Sequence, residues 1–247
     1  DTTDNTGQDT SITIGADDNP VIAYYDVTAG DLNVAACDDA TCTTATITAV
    51  DTTDNTGRET SITIGADDNP VIAYYDSTAG DLNVAACDDP TCTTATIRAL
   101  DTTDVTGRYT SITIGIDGNP VIAYYDVTAG DLSVAACDDP TCSAATISTV
   151  DTTGIHTSIT IGLIGTPVIS YYDTAAGDLN VAACDDPTCS AAIITAVDTT
   201  DSTGLHTSVT LGADGNPVIS YWDSTGGDLN VAACGNPLCN PHIRVGR

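Results

Sequence analysis

NPVIAYYDVTAGDLNVAACDDATC, residues Asn19 to Cys42, decides the fold. It reads as two short β-forming runs around a tight turn, closed by a pair of cysteines. The stretch recurs, lightly edited, from Asn69, Asn119, Thr166 and Asn216. The first cysteines of the copies stand at 37, 87, 137, 184 and 234, a period of 50, 50, 47 and 50 residues. Five copies account for the whole chain, as repeats 1–50, 51–100, 101–150, 151–197 and 198–247 of one expected domain. A fixed period of this length is the signature of a repeat architecture.

Each repeat offers four strand-like runs. In the first they are Ser11–Gly15, Pro20–Asp26, Asp31–Cys37 and Thr44–Val50, each short and rich in Ile, Val, Thr or Tyr. The intervals between them are Asp/Gly/Asn turns and the loop Cys37–Cys42, too short for anything but antiparallel neighbours. A longer polar loop, DTTDNTGRET from Asp51 to Thr60, leads from one repeat to the next. Four-stranded meanders repeated radially describe a β-propeller. The expected fold is therefore all-β: a five-bladed β-propeller with four antiparallel strands per blade. The segment Asp1–Thr3 matches the outer-strand extension Asp51–Thr53 and is expected to complete blade five.

The edited copies share the pattern S-I-x-x-x-x-x-G-x-P-x-I-x-Y-Y-D-x-x-x-G-D-L, with the fourth departing at its turn (LIGTP, Leu163–Pro167). This resembles a repeat of secreted bacterial propeller proteins. It is similar in architecture, more distantly, to the five-bladed tachylectin-type lectins. The resemblance implies a fold and does not carry a lectin motif.

Thirty-five acidic residues face five Lys and Arg together, for a formal charge of −30. Such a surface repels nucleic acid and anionic membranes, because no basic stripe exists to displace counterions. It suits a saline or calcium-rich exterior. The ten cysteines fall in five C-x4-C pairs: Cys37/Cys42, Cys87/Cys92, Cys137/Cys142, Cys184/Cys189 and Cys234/Cys239. Pairs so far apart cannot unite into one four-ligand zinc site, so a local disulfide in each repeat is expected. Each loop closure contributes roughly 2 kcal/mol in the chain-entropy description. Disulfides at this density require an oxidising, extracellular or cell-surface setting.

Candidate site residues also repeat. Asp26 and Asp31, with Asp76 and Asp81, Asp126 and Asp131, Asp173 and Asp178, and Asp223 and Asp228, flank a tight turn in each copy. Carboxylates there fix turns by accepting backbone N–H bonds; the functional alternative is calcium, which takes oxygen ligands from flexible loops. Tyr25, Tyr75, Tyr125, Tyr172 and Trp222 are the second aromatics of the paired motif and candidate sugar-stacking rings, with burial between blades as the other reading. His156 and His206 stand where other copies carry Asp9, Glu59 and Tyr109, and are expected to be surface or packing residues, as is His242.

Glycoside hydrolysis needs two carboxyl groups in different environments. The repeated carboxylates are near-copies in near-identical settings, which argues against an asymmetric catalytic centre. The expectation is thus a non-catalytic extracellular propeller, a structural or interaction subunit of a cell-surface or filamentous assembly that associates with itself or with surface glycans. The alternatives are a multivalent lectin and, after it, a polysaccharide-active enzyme using the channel mouth.

Overall fold

The computed structural model describes Asp1, residues 5–200 and 202–240, and the backbone of 242–245. It contains five four-stranded antiparallel sheets, each formed by strands consecutive in sequence. In blade 1 the strands are Thr6–Ile14, Pro20–Asp26, Asp31–Cys37 and Ala45–Asp51. The other inner strands are Arg58–Ile64, Arg108–Ile114, Ile155–Ile161 and Thr203–Leu211. Blade 5 ends on His242–Val245. All five disulfides are formed, one per blade, and there are no free cysteines. The arrangement is propeller-like and belongs to an extracellular or cell-surface protein.

The sheets of blades 2 to 4 bury both faces. Val21, Ala23, Leu32 and Val34 of blade 1 pack on Ile62, Ile72, Tyr74 and Ala85 of blade 2, and the same cluster recurs at the next three junctions. Small and branched side chains allow this close approach of sheet to sheet. Leu32, Leu82, Leu132 and Leu179 are each fully buried there, worth about 1.5–3 kcal/mol apiece. Gly57, at φ +86°, sets its backbone so close to Leu32 that a Cβ would lie 2.5 Å from the leucine Cα. Only glycine permits both that conformation and that approach.

Polar staples cross the same junctions. The hydroxyls of Tyr74, Tyr124 and Tyr221 donate to Asp51, Asp101 and Asp198 of the preceding blade at 2.7 Å. Tyr171 donates to Asp151 in the same way. The bond Tyr24 to Asp1, 3.0 Å, repeats the motif on blade 1, so Asp1 stands in the role of Asp51. Thr2 and Thr3, the rest of the expected outer-strand extension, lie outside the described residues.

At the fifth junction the packing stops. Leu229 is 75 % exposed where its four counterparts are fully buried. Ile12 is 62 % exposed where Ile62 is 6 %. Cys42 is exposed, although Cys92, Cys142, Cys189 and Cys239 are buried. The described residues form five blades with one uncovered sheet face on blade 5 and another on blade 1.

Candidate functional site at the channel mouth

The inner strands begin earlier than the apolar run suggests. Blade 2 starts at Arg58 rather than Ser61, with a register shift between Arg58 and Ser61. Equivalent bulges occur in the other four blades. The residue inside each bulge is left-handed: Asp9, Glu59, Tyr109, His156 and His206 have φ between 51° and 55°. None is glycine, and such a conformation costs about 1–2 kcal/mol each. A bulge re-aims a side chain. All five residues, each with its following threonine, line one cavity of about 500 Å³ where the inner strands converge.

The threonines hold the bulges. Thr60 Oγ1 donates to the carbonyl of Asp9 at 2.5 Å, and Thr110 Oγ1 to that of Glu59 at 2.5 Å. Thr157 and Thr207 do the same for Tyr109 and His156. This network uses only backbone acceptors at the bulge, so it leaves the side chain free to differ.

The side chains do differ, and they divide the mouth into two arcs. On blades 1 to 3 the arc is charged. Glu59 accepts from Arg108 Nε at 2.5 Å and from the backbone N–H of Tyr109. Burial opposes the charge of Arg108, but the adjacent Glu59 carboxylate outweighs it and raises the guanidinium pKa. Asp9 is the next carboxylate around the ring. On blades 3 to 5 the arc is aromatic. Tyr109 and His156 have ring centroids 4.4 Å apart, His156 and His206 4.1 Å, and His206 lies 6.1 Å from Trp222. Burial, with the neighbouring His206, lowers the pKa of His156 from 6.5 to about 4. Its imidazole is therefore neutral at ordinary pH.

The loop entering blade 4 is three residues shorter than its counterparts, because DTTGIHTS replaces the DTTDNTGRETS type. A Cβ on Gly30 would meet the carbonyl of Asp54 at 3.1 Å, whereas one on Gly130 would meet nothing. The missing residues leave Gly130 uncovered at the strand end that carries Tyr125, whose ring lies 6.2 Å from that of Tyr109.

The structure redistributes the other candidates. His156 and His206 line the cavity, where His206 is exposed and His156 packs between the rings of Tyr109 and His206, in keeping with the surface or packing role expected of them. The side chain of His242 lies outside the described residues. Tyr25 is 1 % exposed, with Arg58 over its ring at 4.6 Å and its hydroxyl bonded to Asn55, so no ring face is open to a sugar. Tyr75 faces Arg108 at 5.5 Å, Tyr172 reaches Ser202, and Trp222 is 41 % exposed. Asp26 Oδ1 accepts the N–H groups of Thr28 and Ala29 and so holds its turn. Asp31 has its pKa raised by partial burial and by the neighbouring Asp26 and Asp51. Among the described residues no group of three metal-ligating side chains is gathered for a metal ion.

No protein family and no curated protein sequence matches the chain. Solved structures do, through the fold. A protein of unknown function from Dyadobacter fermentans matches with TM-score 0.70 at 10% identity, over 98% of this chain and 82% of that one. An α-L-arabinofuranosidase from Lactobacillus brevis matches with TM-score 0.54 at 12% identity, over 98% and 91%. An endo-1,4-β-xylanase from Bacteroides thetaiotaomicron matches with TM-score 0.53 at 13% identity, over 98% and 89%. The likeness is one of fold, and it runs to carbohydrate-active enzymes rather than to tachylectin-type lectins in particular. The expectation of a non-catalytic structural subunit without enzymatic activity is corrected accordingly. Its premise, that the carboxylates sit in identical settings, fails at Asp9 and Glu59, and its fold is one that glycoside hydrolases use.

Proposed function

We propose that the channel mouth hydrolyses glycosidic bonds in a polysaccharide or oligosaccharide. The observation that carries this reading is the ring of five strained positions, filled by two carboxylates, a phenol and two imidazoles around one cavity. Backbone strain of this kind collects at functional sites. Glu59, which accepts from Arg108 Nε and from the Tyr109 N–H, is the carboxylate that takes a proton from water as the water oxygen bonds to the anomeric carbon. Asp9 donates its proton to the glycosidic oxygen as the bond from that oxygen to the anomeric carbon breaks. The aromatic arc Tyr109–His156–His206 faces the sugar. The arabinofuranosidase and xylanase among the structural neighbours support this substrate class.

The test is release of reducing sugar from arabinofuranosides and β-1,4-xylan by the native chain, Glu59→Gln and Asp9→Asn. Each variant is expected to lose about 10²–10⁴-fold in kcat with its melting temperature kept. Equal turnover by native and variant proteins overturns the assignment.

A further inference from the structure

The five turns that carry paired aspartates are near-copies with one edit. Ala29, Ala79, Ala129 and Ala176 stand where blade 5 has Gly226. A Cβ on Gly226 would lie 2.9 Å from Asp223 Oδ2 and 3.2 Å from Asp228 Oδ2, so both carboxylates converge on the spot that a methyl group fills in the other blades. Asp223 Oδ1 accepts the N–H groups of Thr225 and Gly226 and holds the turn, which leaves Oδ2 to face that spot. Among the described residues neither carboxylate has an ion-pair partner; the ion pair found is Arg108 with Glu59. Two like charges so close repel unless positive charge lies between them.

A buried oxygen stands beside them. The strands pair Asp223 with Asp228 and Tyr221 with Asn230, and alternation along a strand puts these four side chains on one face. It is the face packed on blade 4, where the Tyr221 hydroxyl bonds Asp198. Asn230 is 8 % exposed, and its Oδ1 is buried and accepts no hydrogen bond. A buried acceptor of this kind calls for a donor or a cation. An amide at this position reaches the turn: in blade 4 the equivalent Asn180 donates from Nδ2 to Asp173 Oδ2 at 3.2 Å. A half-turn of the amide presents its oxygen there instead. Asn33, Asn83 and Asn180 carry the same unpartnered oxygen, but each beside a turn that has alanine.

We infer that the turn of blade 5 binds one calcium ion through Asp223 Oδ2, Asp228 Oδ2 and Asn230 Oδ1, with water completing the shell. Two carboxylates alone fall short of a metal site, and the amide oxygen is the third, neutral ligand. An all-oxygen set at a flexible, partly exposed turn suits calcium, which tolerates irregular geometry, better than magnesium, which demands a near-ideal octahedron. Two charged ligands make a weak site, with an expected Kd of roughly 10⁻⁴–10⁻³ M, the range of extracellular modules. The site belongs to one turn and not to all five, because only Gly226 leaves room for the ion. It does not depend on the reaction proposed for the channel.

Trp222, the single tryptophan, directly precedes Asp223 and reports on this turn. Terbium, which takes the same oxygen ligands as calcium, is titrated into the native chain and excited through the tryptophan. The sensitised emission is expected to saturate and to be displaced by calcium. Gly226→Ala restores the residue of the other four blades and leaves the net charge unchanged. Its calcium affinity is expected to fall at least about tenfold, as is that of Asp228→Asn, since ligand charge and placement set the affinity of such sites. Asp76→Asn with Asp81→Asn removes two charges from blade 2 and is expected to keep the native curve. Melting temperatures in excess chelator, expected to match that of the native chain, separate loss of the ion from loss of the fold. Emission that rises without saturating, or equal affinity in the native chain and Gly226→Ala, leaves an adventitious ion only and overturns the inference.

Discussion

Tyr109 and Tyr124 belong to the same blade, fifteen residues apart, and answer to different constraints. Tyr124 is one of four tyrosines that staple a blade to the one before, Tyr24 makes the same bond to Asp1, and all five copies thus carry the same residue with an aspartate partner. Tyr109 occupies the bulge, where the five copies carry Asp, Glu, Tyr, His and His. At the staple the side chain is the fold: its hydroxyl bonds one carboxylate oxygen, Oδ2 of Asp101 for Tyr124, while Thr103 donates to the other. At the bulge only the backbone is specified, by a threonine that bonds its carbonyl. The repeat can therefore change the side chain there without changing the blade, and the freedom falls where five blades converge on one cavity.

The sharpest way to break this comparison is to truncate both tyrosines. Tyr124→Ala removes a fully buried ring and leaves Asp101 Oδ2 without its tyrosine donor. It is expected to cost about 3–5 kcal/mol in urea denaturation, the range for large aromatic truncations in a core. Tyr109→Ala removes a half-exposed ring from the channel and is expected to cost less than about 1 kcal/mol, as surface changes do, while weakening sugar binding. Equal losses of stability from the two variants dissolve the distinction between staple and bulge.

That distinction also marks what the sequence makes legible. The period of the cysteines and the alternation in PVIAYYD and DLNVAAC specify the sheets, because strand pattern and turn chemistry are local. The second and third strands of blade 1 run over the expected residues, Pro20–Asp26 and Asp31–Cys37. The inner strand is misread at its start, since Arg58-Glu59 looks like the end of a polar loop and the bulge breaks the period-two pattern. Asp9, Glu59, Tyr109, His156 and His206 lie in that misread stretch. Their convergence is a tertiary fact: residues about 50 apart meet only because the blades are radial. The available signal was variation, as this column of the repeat and the one before it changed chemistry while the threonine after it did not. The open seam has no sequence signal, because Leu229 and Ile12 are ordinary members of their repeats.

A smaller effect separates strain from function at one position. Asp9 sits at φ 51° and is exposed, so its side chain contributes little packing. Asp9→Gly relieves the left-handed penalty and is expected to raise stability by about 0.5–1 kcal/mol, after subtracting the extra entropy of glycine in the unfolded chain. Turnover is expected to fall as for Asp9→Asn. A glycine variant that gains stability and loses activity shows that the strained carboxylate is kept for what it does in the channel. A variant that loses both assigns Asp9 to the fold.

The smallest effect is the pH dependence of the aromatic arc. The folded-state pKa of His156 is about 4, lowered by burial and by His206. The unfolded chain takes up its proton near pH 6.5, while the folded chain stays neutral until about pH 4. The unfolded state therefore binds more protons across this window, and stability falls as pH drops from about 6.5 to about 4. His156 is only part-buried, so solvent screening cuts the full shift to an expected loss of about 1–2 kcal/mol. Other groups facing this imidazole are Tyr109 and His206. His156→Gln removes the titration without removing the arc's volume. Its stability is expected to vary less between pH 6.5 and pH 4 than that of the native chain, with the Tyr124 staple unaffected. An identical pH profile for the two proteins would place the acid sensitivity elsewhere, in the turn carboxylates shared by all blades, and the channel would lose its claim to be the electrostatically distinct region of the molecule.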